Sequence, residues 1–335
     1  MRTFFLALTL LLTSCSLRAV PVPPPVATVA PPTVVLMTPT PLPTPTLAPF
    51  EQYTIPYLGR RSYGGGKIEV MEKLTESDIF ASYSIRYPSD GLNIYGFMNV
   101  PKGKGPFPVI VSIHGYAPYG QYDAFNMAQD FADFFAEHGF IVVHPGLRNQ
   151  PPSDNGDNLL RVGMTIDVMN LIALVRAQND LPAELAGVNP DRMGLWGGSM
   201  GGEIALRVLT ISPDIKAAVL SSPLSGNEER NSRQLYEIFN DEQFQKDAEI
   251  PLELLDRISP MYYYHQIKSA VQLNHGTKDT TAPISWAVET CDFLESAGVS
   301  VQCIYYEKAK HSFSGDNAEK LRQNALEFYQ THLAP

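Results

Sequence analysis

The chain has 335 residues, 44% hydrophobic and 18% charged, an ordinary globular composition. Its formal net charge of −10, with no Lys/Arg-rich run, argues against a nucleic-acid partner. The acidic balance bears on solubility and singles out no substrate.

From the N-terminus, Arg2 is followed by the apolar run Phe4–Leu12, a charged region and a short hydrophobic one. The run is too short to span a bilayer stably. It ends in Leu12-Thr13-Ser14-Cys15, which resembles a bacterial lipoprotein signal. That resemblance implies a signal peptide over residues 1–15, with Cys15 as the lipidated first residue of the mature protein. It also implies an extracytoplasmic protein tethered to a membrane through an N-terminal lipid. An ordinary secretory signal with an incidental cysteine, and so a secreted protein, is the alternative. Residues 16–50 read as a disordered tether, because 20–49 hold eleven prolines, six threonines and no charged side chain. Such a stretch favours extended polyproline II geometry over helix or sheet.

Residues 51–335 show no second linker and no internal repeat, and read as one catalytic domain. Three early runs, 68–74, 79–87 and 92–100, have the pattern of antiparallel strands, with Ser89-Asp90-Gly91 as turn chemistry between the last two. Short apolar runs at 109–113, 140–143, 193–196, 217–220, 271–273 and 301–306 have the character of buried parallel strands. Helical segments fall roughly at 122–138, 158–178, 200–211, 284–297 and 316–332. The alternation predicts an α/β fold with a mostly parallel, eight-stranded-type sheet and helices on both faces. A polar, helix-prone stretch at about 223–265 interrupts the rhythm and reads as a helical excursion, a candidate partial lid. Cys291 is placed on a helix and Cys303 on the next strand. Helix-to-sheet distances usually exceed bridging geometry, so two buried thiols are favoured over a disulfide.

The chemistry centres on Gly197-Gly198-Ser199-Met200-Gly201-Gly202. An apolar strand precedes it and a helix former follows, so Gly-x-Ser-x-Gly lies on a strand–turn–helix with Ser199 at the apex. Such a turn strains the serine and exposes its hydroxyl. A Gly-rich loop with a capping serine is the bland alternative. A serine hydroxyl needs a base, and the base needs a group to orient it. Asp279, past the strand at 271–273, and His311, on the loop after the last strand, occupy strand ends, where functional groups gather in open α/β sheets. The order Ser199, Asp279, His311 is nucleophile, acid, base. Asp292 is a rival acid, placed mid-helix. Oxyanion donors are expected from the backbone N–H of Met200 and of Tyr116, in the loop His114-Gly115-Tyr116. The remaining histidines show no paired ligand spacing, so no metal and no cofactor are expected.

With these residues placed, the body resembles the catalytic domain of the prolyl oligopeptidase (S9) family of α/β-hydrolases. The resemblance covers roughly residues 80–333. It rests on Tyr95-Gly96-Phe97, on Val188-Asn189-Pro190-Asp191-Arg192 leading to the Gly197–Gly202 turn, on Ser259-Pro260, on His275–Pro283 and on His311-Ser312-Phe313. It implies a serine hydrolase acting through an acyl-enzyme, with Ser199, Asp279 and His311 as its triad. Two departures go with it. Too few residues precede the body for the β-propeller of larger members. His114 stands where some S9 peptidases have a tyrosine whose hydroxyl serves the oxyanion hole. The expected substrates are small-molecule esters or short peptides. Carboxylesterase or polysaccharide acetyl esterase activity is the alternative, and a non-catalytic binding lipoprotein on the same scaffold is a further one.

Overall fold

A computed structural model describes residues 50–177, 180–240 and 242–334. The expected signal over 1–15, Cys15, and the expected tether except Phe50 lie outside them. The fold belongs to the second of two compact units, residues 47–335.

The strands are β1 (Glu69–Glu76), β2 (Phe80–Ser89), β3 (Leu92–Pro101), β4 (Phe107–Ile113), β5 (Ile141–Pro145), β6 (Val188–Gly198), β7 (Ala217–Ser221), β8 (Ala270–Gly276) and β9 (Val301–Tyr306). They form one sheet in the order β1-β2-β3-β5-β4-β6-β7-β8-β9. β1, β2 and β3 run antiparallel, as does β3 against β5; every later pairing is parallel. The sheet is therefore mostly parallel, and β1 adds an outer ninth strand to the eight-stranded type expected. β1 is an exposed edge carrying Glu69, Glu72, Lys73 and Glu76, with two register shifts against β2, features that discourage edge pairing.

Helices cover both faces because the central strands are apolar on both sides. Val109 and Val111 of β4 face one layer and Ile110 the other, the two-residue period of a strand. The first layer comprises α3 (Val162–Arg176), α4 (Met200–Ile211) and α8 (Ile284–Ser296). They contribute Val168, Leu171, Ile204, Val208, Ala287 and Leu294 to the core with Leu195, Leu220 and Leu273. The second layer comprises α2 (Ala124–Glu137) and α9 (Asp316–His332), with Phe135, Ala325 and Tyr329 packed on Val142 and Val219. α2 begins where the Asp123 carboxylate accepts the Asn126 N–H at 3.1 Å.

Two expectations are corrected. The helix expected over 158–178 becomes regular only at Val162, since Leu160 and Arg161 take positive φ values of 49° and 59°. That kink turns the Arg161 guanidinium inward onto three carboxylates. Cys291 and Cys303 are bonded, not free thiols: α8 packs directly on β9 and brings their Cα atoms to 6.5 Å.

Three further helices fill the stretch between β7 and β8: α5 (Glu228–Phe239), α6 (Glu242–Ala248) and α7 (Leu252–Ile258). Buried charge fastens them to the body. Arg161 bridges Glu203 of α4, Glu228 of α5 and Asp247 of α6. Arg207 of α4 meets the same Glu203 at 2.6 Å and Glu228.

Candidate active site

Four loops at the carboxyl ends of parallel strands meet above the sheet. The loop after β4 carries His114-Gly115-Tyr116, the turn after β6 carries Ser199, and the loops after β8 and β9 carry Asp279 and His311. Ser199 sits between β6 and α4 with φ 52° and ψ −117°, a conformation costly for any residue with a side chain. Backbone bonds hold it there: its N–H donates to Ser221 O at 2.9 Å, and its carbonyl accepts from Gly202 N at 2.9 Å, Leu224 N at 3.2 Å and Glu203 N at 3.3 Å.

His311 Nε2 lies 2.8 Å from Ser199 Oγ, and His311 Nδ1 lies 2.8 Å from Asp279 Oδ2. The structure thus joins serine, imidazole and carboxylate in one hydrogen-bonded row. The loops bearing the last two are zipped together. Thr277 N donates to Tyr306 O at 3.0 Å, Lys278 N to Ala309 O at 2.8 Å, and Lys308 N to Thr277 Oγ1 at 2.9 Å. Gly276 makes that approach possible, because a Cβ there would stand 2.5 Å from Ala309 O. Asp292 is exposed on α8, and the row does not include it.

Asp279 is saturated with donors. Its Oδ1 accepts the Thr281 and Ala282 N–H groups, both at 2.9 Å. Its Oδ2 faces His311 Nδ1 and also His275 Nε2, the latter at 3.2 Å. Burial alone would raise this carboxyl; hydrogen bonds from His275, His311 and the Ala282 N–H outweigh it and hold the group well below the usual carboxylate range. The sequence gives His275 no role in the site, although it opens the His275–Pro283 motif. The signal for it was its position at the end of β8, four residues before the acid.

The two expected oxyanion donors border one cavity of about 230 Å³, lined among others by Tyr116, Met164, Met200 and Phe244. Met200 opens α4, where the first N–H groups have no partner within the helix and the helix dipole is positive. Gly115 lies against the nucleophile turn, since a Cβ there would sit 3.4 Å from Ser199 Cβ. Gln150, unnoticed in the sequence, donates from Nε2 to Ala117 O at 2.7 Å and braces this loop. Phe239 and Phe244 pack, tilted, against the Tyr116 ring at centroid distances of 4.6 and 5.2 Å, so α5 and α6 reach the site. His114 itself is buried beneath, with its ring stacked on Tyr122 at 3.9 Å. Burial drives it from its ordinary value of 6.5 to about 4.

A half-buried serine on a strand–turn–helix, paired with an imidazole at the carboxyl edge of a mostly parallel sheet, defines the α/β-hydrolase class of fold. The chain belongs to the prolyl oligopeptidase family (peptidase S9), which matches residues 131–335. It is 24% identical over 288 residues to an uncharacterized peptidase, YuxL, of Bacillus subtilis (strain 168), covering 84% of this chain but only 42% of that relative. Among solved structures it is similar to acetyl xylan esterase 1 from Thermoanaerobacterium sp. JW/SL YS485. That likeness has a TM-score of 0.63 and 20% identity, and covers 84% of this chain and 93% of the other. It is also similar to the acylaminoacyl peptidase of Pyrococcus horikoshii, with a TM-score of 0.61 and 21% identity, over 77% of this chain and 42% of the peptidase.

Proposed function

We propose that this protein is a serine hydrolase that cleaves esters or short-peptide amides through an acyl-enzyme. The observation that carries the reading is the row Ser199 Oγ, His311 Nε2, His311 Nδ1 and Asp279 Oδ2, with both contacts at 2.8 Å. His311 takes the Ser199 proton as Oγ attacks the carbonyl carbon. The Met200 and Tyr116 N–H groups hold the oxyanion that forms. His311 then passes its proton to the departing alcohol or amine. A water, deprotonated by the same imidazole, releases the acyl group and restores Ser199. Asp279 keeps the imidazole in the right tautomer and stabilises its positive charge.

A second reading, preference for small acyl esters, uses the same residues. The cavity of about 230 Å³ beside Tyr116 and Met200 favours it, being suited to a compact group. The acetyl xylan esterase likeness is compatible with this reading. Fluorophosphonate labelling of the folded protein tests the hydrolase, and an adduct confined to Ser199 is the expected result. Failure to label would remove the reading. A panel of aminoacyl anilides, nitrophenyl esters and acetylated sugars sorts the two preferences.

We also propose that Cys15 carries a lipid and that the domain works outside the cytoplasm. The Cys291–Cys303 bond supports this, because disulfides persist mainly in oxidising compartments. Cys15→Ser is expected to move the protein from the membrane fraction to the soluble one. Retention on the membrane would refute lipidation.

A further inference from the structure

His275 is fully buried at the carboxyl end of β8, and no step above uses it. Its Nε2 lies 2.8 Å from Ala282 O and 3.2 Å from Asp279 Oδ2. A backbone carbonyl only accepts, so Nε2 carries the hydrogen and the donor is shared between that carbonyl and the carboxylate. Nδ1 is buried without a partner among the described residues. The only polar work the ring does therefore runs through Nε2, toward the acid and the turn that holds it.

The Asp279 carboxylate must do two things while charge develops on His311. It must stay ionised, and it must keep one Oδ2 lone pair aimed at Nδ1. Thr281 and Ala282 fix Oδ1 from one side. Without a second contact on Oδ2, the carboxylate could still pivot about its Cβ–Cγ bond and swing that lone pair off the imidazole. His275 occupies the other lone-pair direction of Oδ2, and its bond to Ala282 O closes the turn from which the two amides point. Three donors besides His311 thus fix the plane of one carboxylate.

We infer that His275 is a positioning residue for the reaction, a second imidazole that locks the Asp279 carboxylate on His311. This rests on the hydrolase reading above. The ring does not touch substrate; it acts through Asp279.

The inference is tested by a double-mutant cycle between His275→Phe and Asp279→Ala, with His275→Gln as a variant that keeps a donor near the Nε2 position. His275→Phe is expected to lower kcat on a nitrophenyl ester by about 10- to 100-fold, with KM changed little, as for lost support of a site ligand. His275→Gln is expected to recover most of that loss. When Asp279 is already Ala, the loss from His275→Phe is expected to shrink to less than about threefold, because the group it holds is gone. A ring that merely fills space would cost the same factor in both backgrounds, and His275→Gln would fare no better than Phe; either outcome overturns the inference. Denaturation midpoints of all variants show whether each folds, and the Gln variant keeps the test open if Phe does not. Fluorophosphonate labelling of the unsubstituted protein separates the two failures. No adduct removes the hydrolase reading itself, whereas an adduct with additive losses removes only the role of His275.

Discussion

Ser199 occupies a backbone conformation that stores strain, and the bonds from Ser221 and Leu224 hold it there. Strain of this kind costs roughly 1–3 kcal/mol. Ser199→Gly is therefore expected to raise unfolding free energy by about 1–2 kcal/mol over Ser199→Ala, measured by denaturant titration, while both abolish turnover. Equal stabilities would mean that the turn is relaxed. Asp279→Asn is expected to lose less activity than His311→Ala, since in the proposed mechanism the acid orients and the base transfers the proton; kcat on one ester decides it. The meeting of Ser199, Asp279 and His311 was legible because each lies just past an apolar run, in an order that chemistry recognises. His275 and Gln150 were not. A hydrogen bond from His275 to an acid four residues on requires the chain to fold back at Asp279–Ala282, and no residue pattern announces that turn.

Elements bring these side chains together. The six later strands were readable as apolar runs, the first three as antiparallel patterns, and the helices of both layers as periodic stretches. The break before α3 was not readable, because it answers to charges distant in sequence: Arg161 is drawn to Glu203, Glu228 and Asp247 on three different helices. Two guanidiniums and three carboxyls share that buried cluster, and burial raises Glu228 well above its ordinary value. Removing one cation leaves carboxylates unmatched in a low-dielectric site. Arg207→Met is expected to cost about 3–5 kcal/mol of unfolding free energy, read from denaturant midpoints. A loss below 1 kcal/mol would show that the cluster relaxes or takes up protons instead. Between β8 and β9 the close approach at Gly276 sets the distance from acid to base. Gly276→Ala is expected to reduce kcat by about 10²-fold through displacement of the His311 loop, with a smaller effect on KM. Unchanged kcat would mean that the loops shift without moving the imidazole.

For the whole molecule, acidity and oxidation are the two levers. His114 and His144 are buried and both lie below the ordinary imidazole value because burial disfavours their charged forms. An unfolded chain binds protons at these rings from about pH 6.5 downward, and the folded chain does not until about pH 4 for His114. Their contribution is thus complete above pH 6.5 and is lost as pH falls through this window, by at most about 1.4 kcal/mol per pH unit for each ring. His144→Phe, beside Phe97, is expected to roughly halve the slope between pH 6.5 and 5 in a series of denaturant midpoints. A slope unchanged by the substitution would assign the acid sensitivity elsewhere. The cystine closes a loop of sequence separation 12, for which chain entropy gives about 2–3 kcal/mol. Cys291→Ser with Cys303→Ser is expected to lower stability by that amount. The pairing itself was not legible, because only the tight seating of α8 on β9 shortens the usual helix-to-sheet distance.

The order of the loops along the sheet also sets a schedule. The serine is synthesised first, its acid later, and the base only with the loop after β9. A partly made chain therefore holds a serine with no base beside it, and under the proposed mechanism it attacks nothing it meets. Competence arrives in a single step when the final strand docks. The appearance of a Ser199 adduct during refolding would serve as a clock for the last event of assembly.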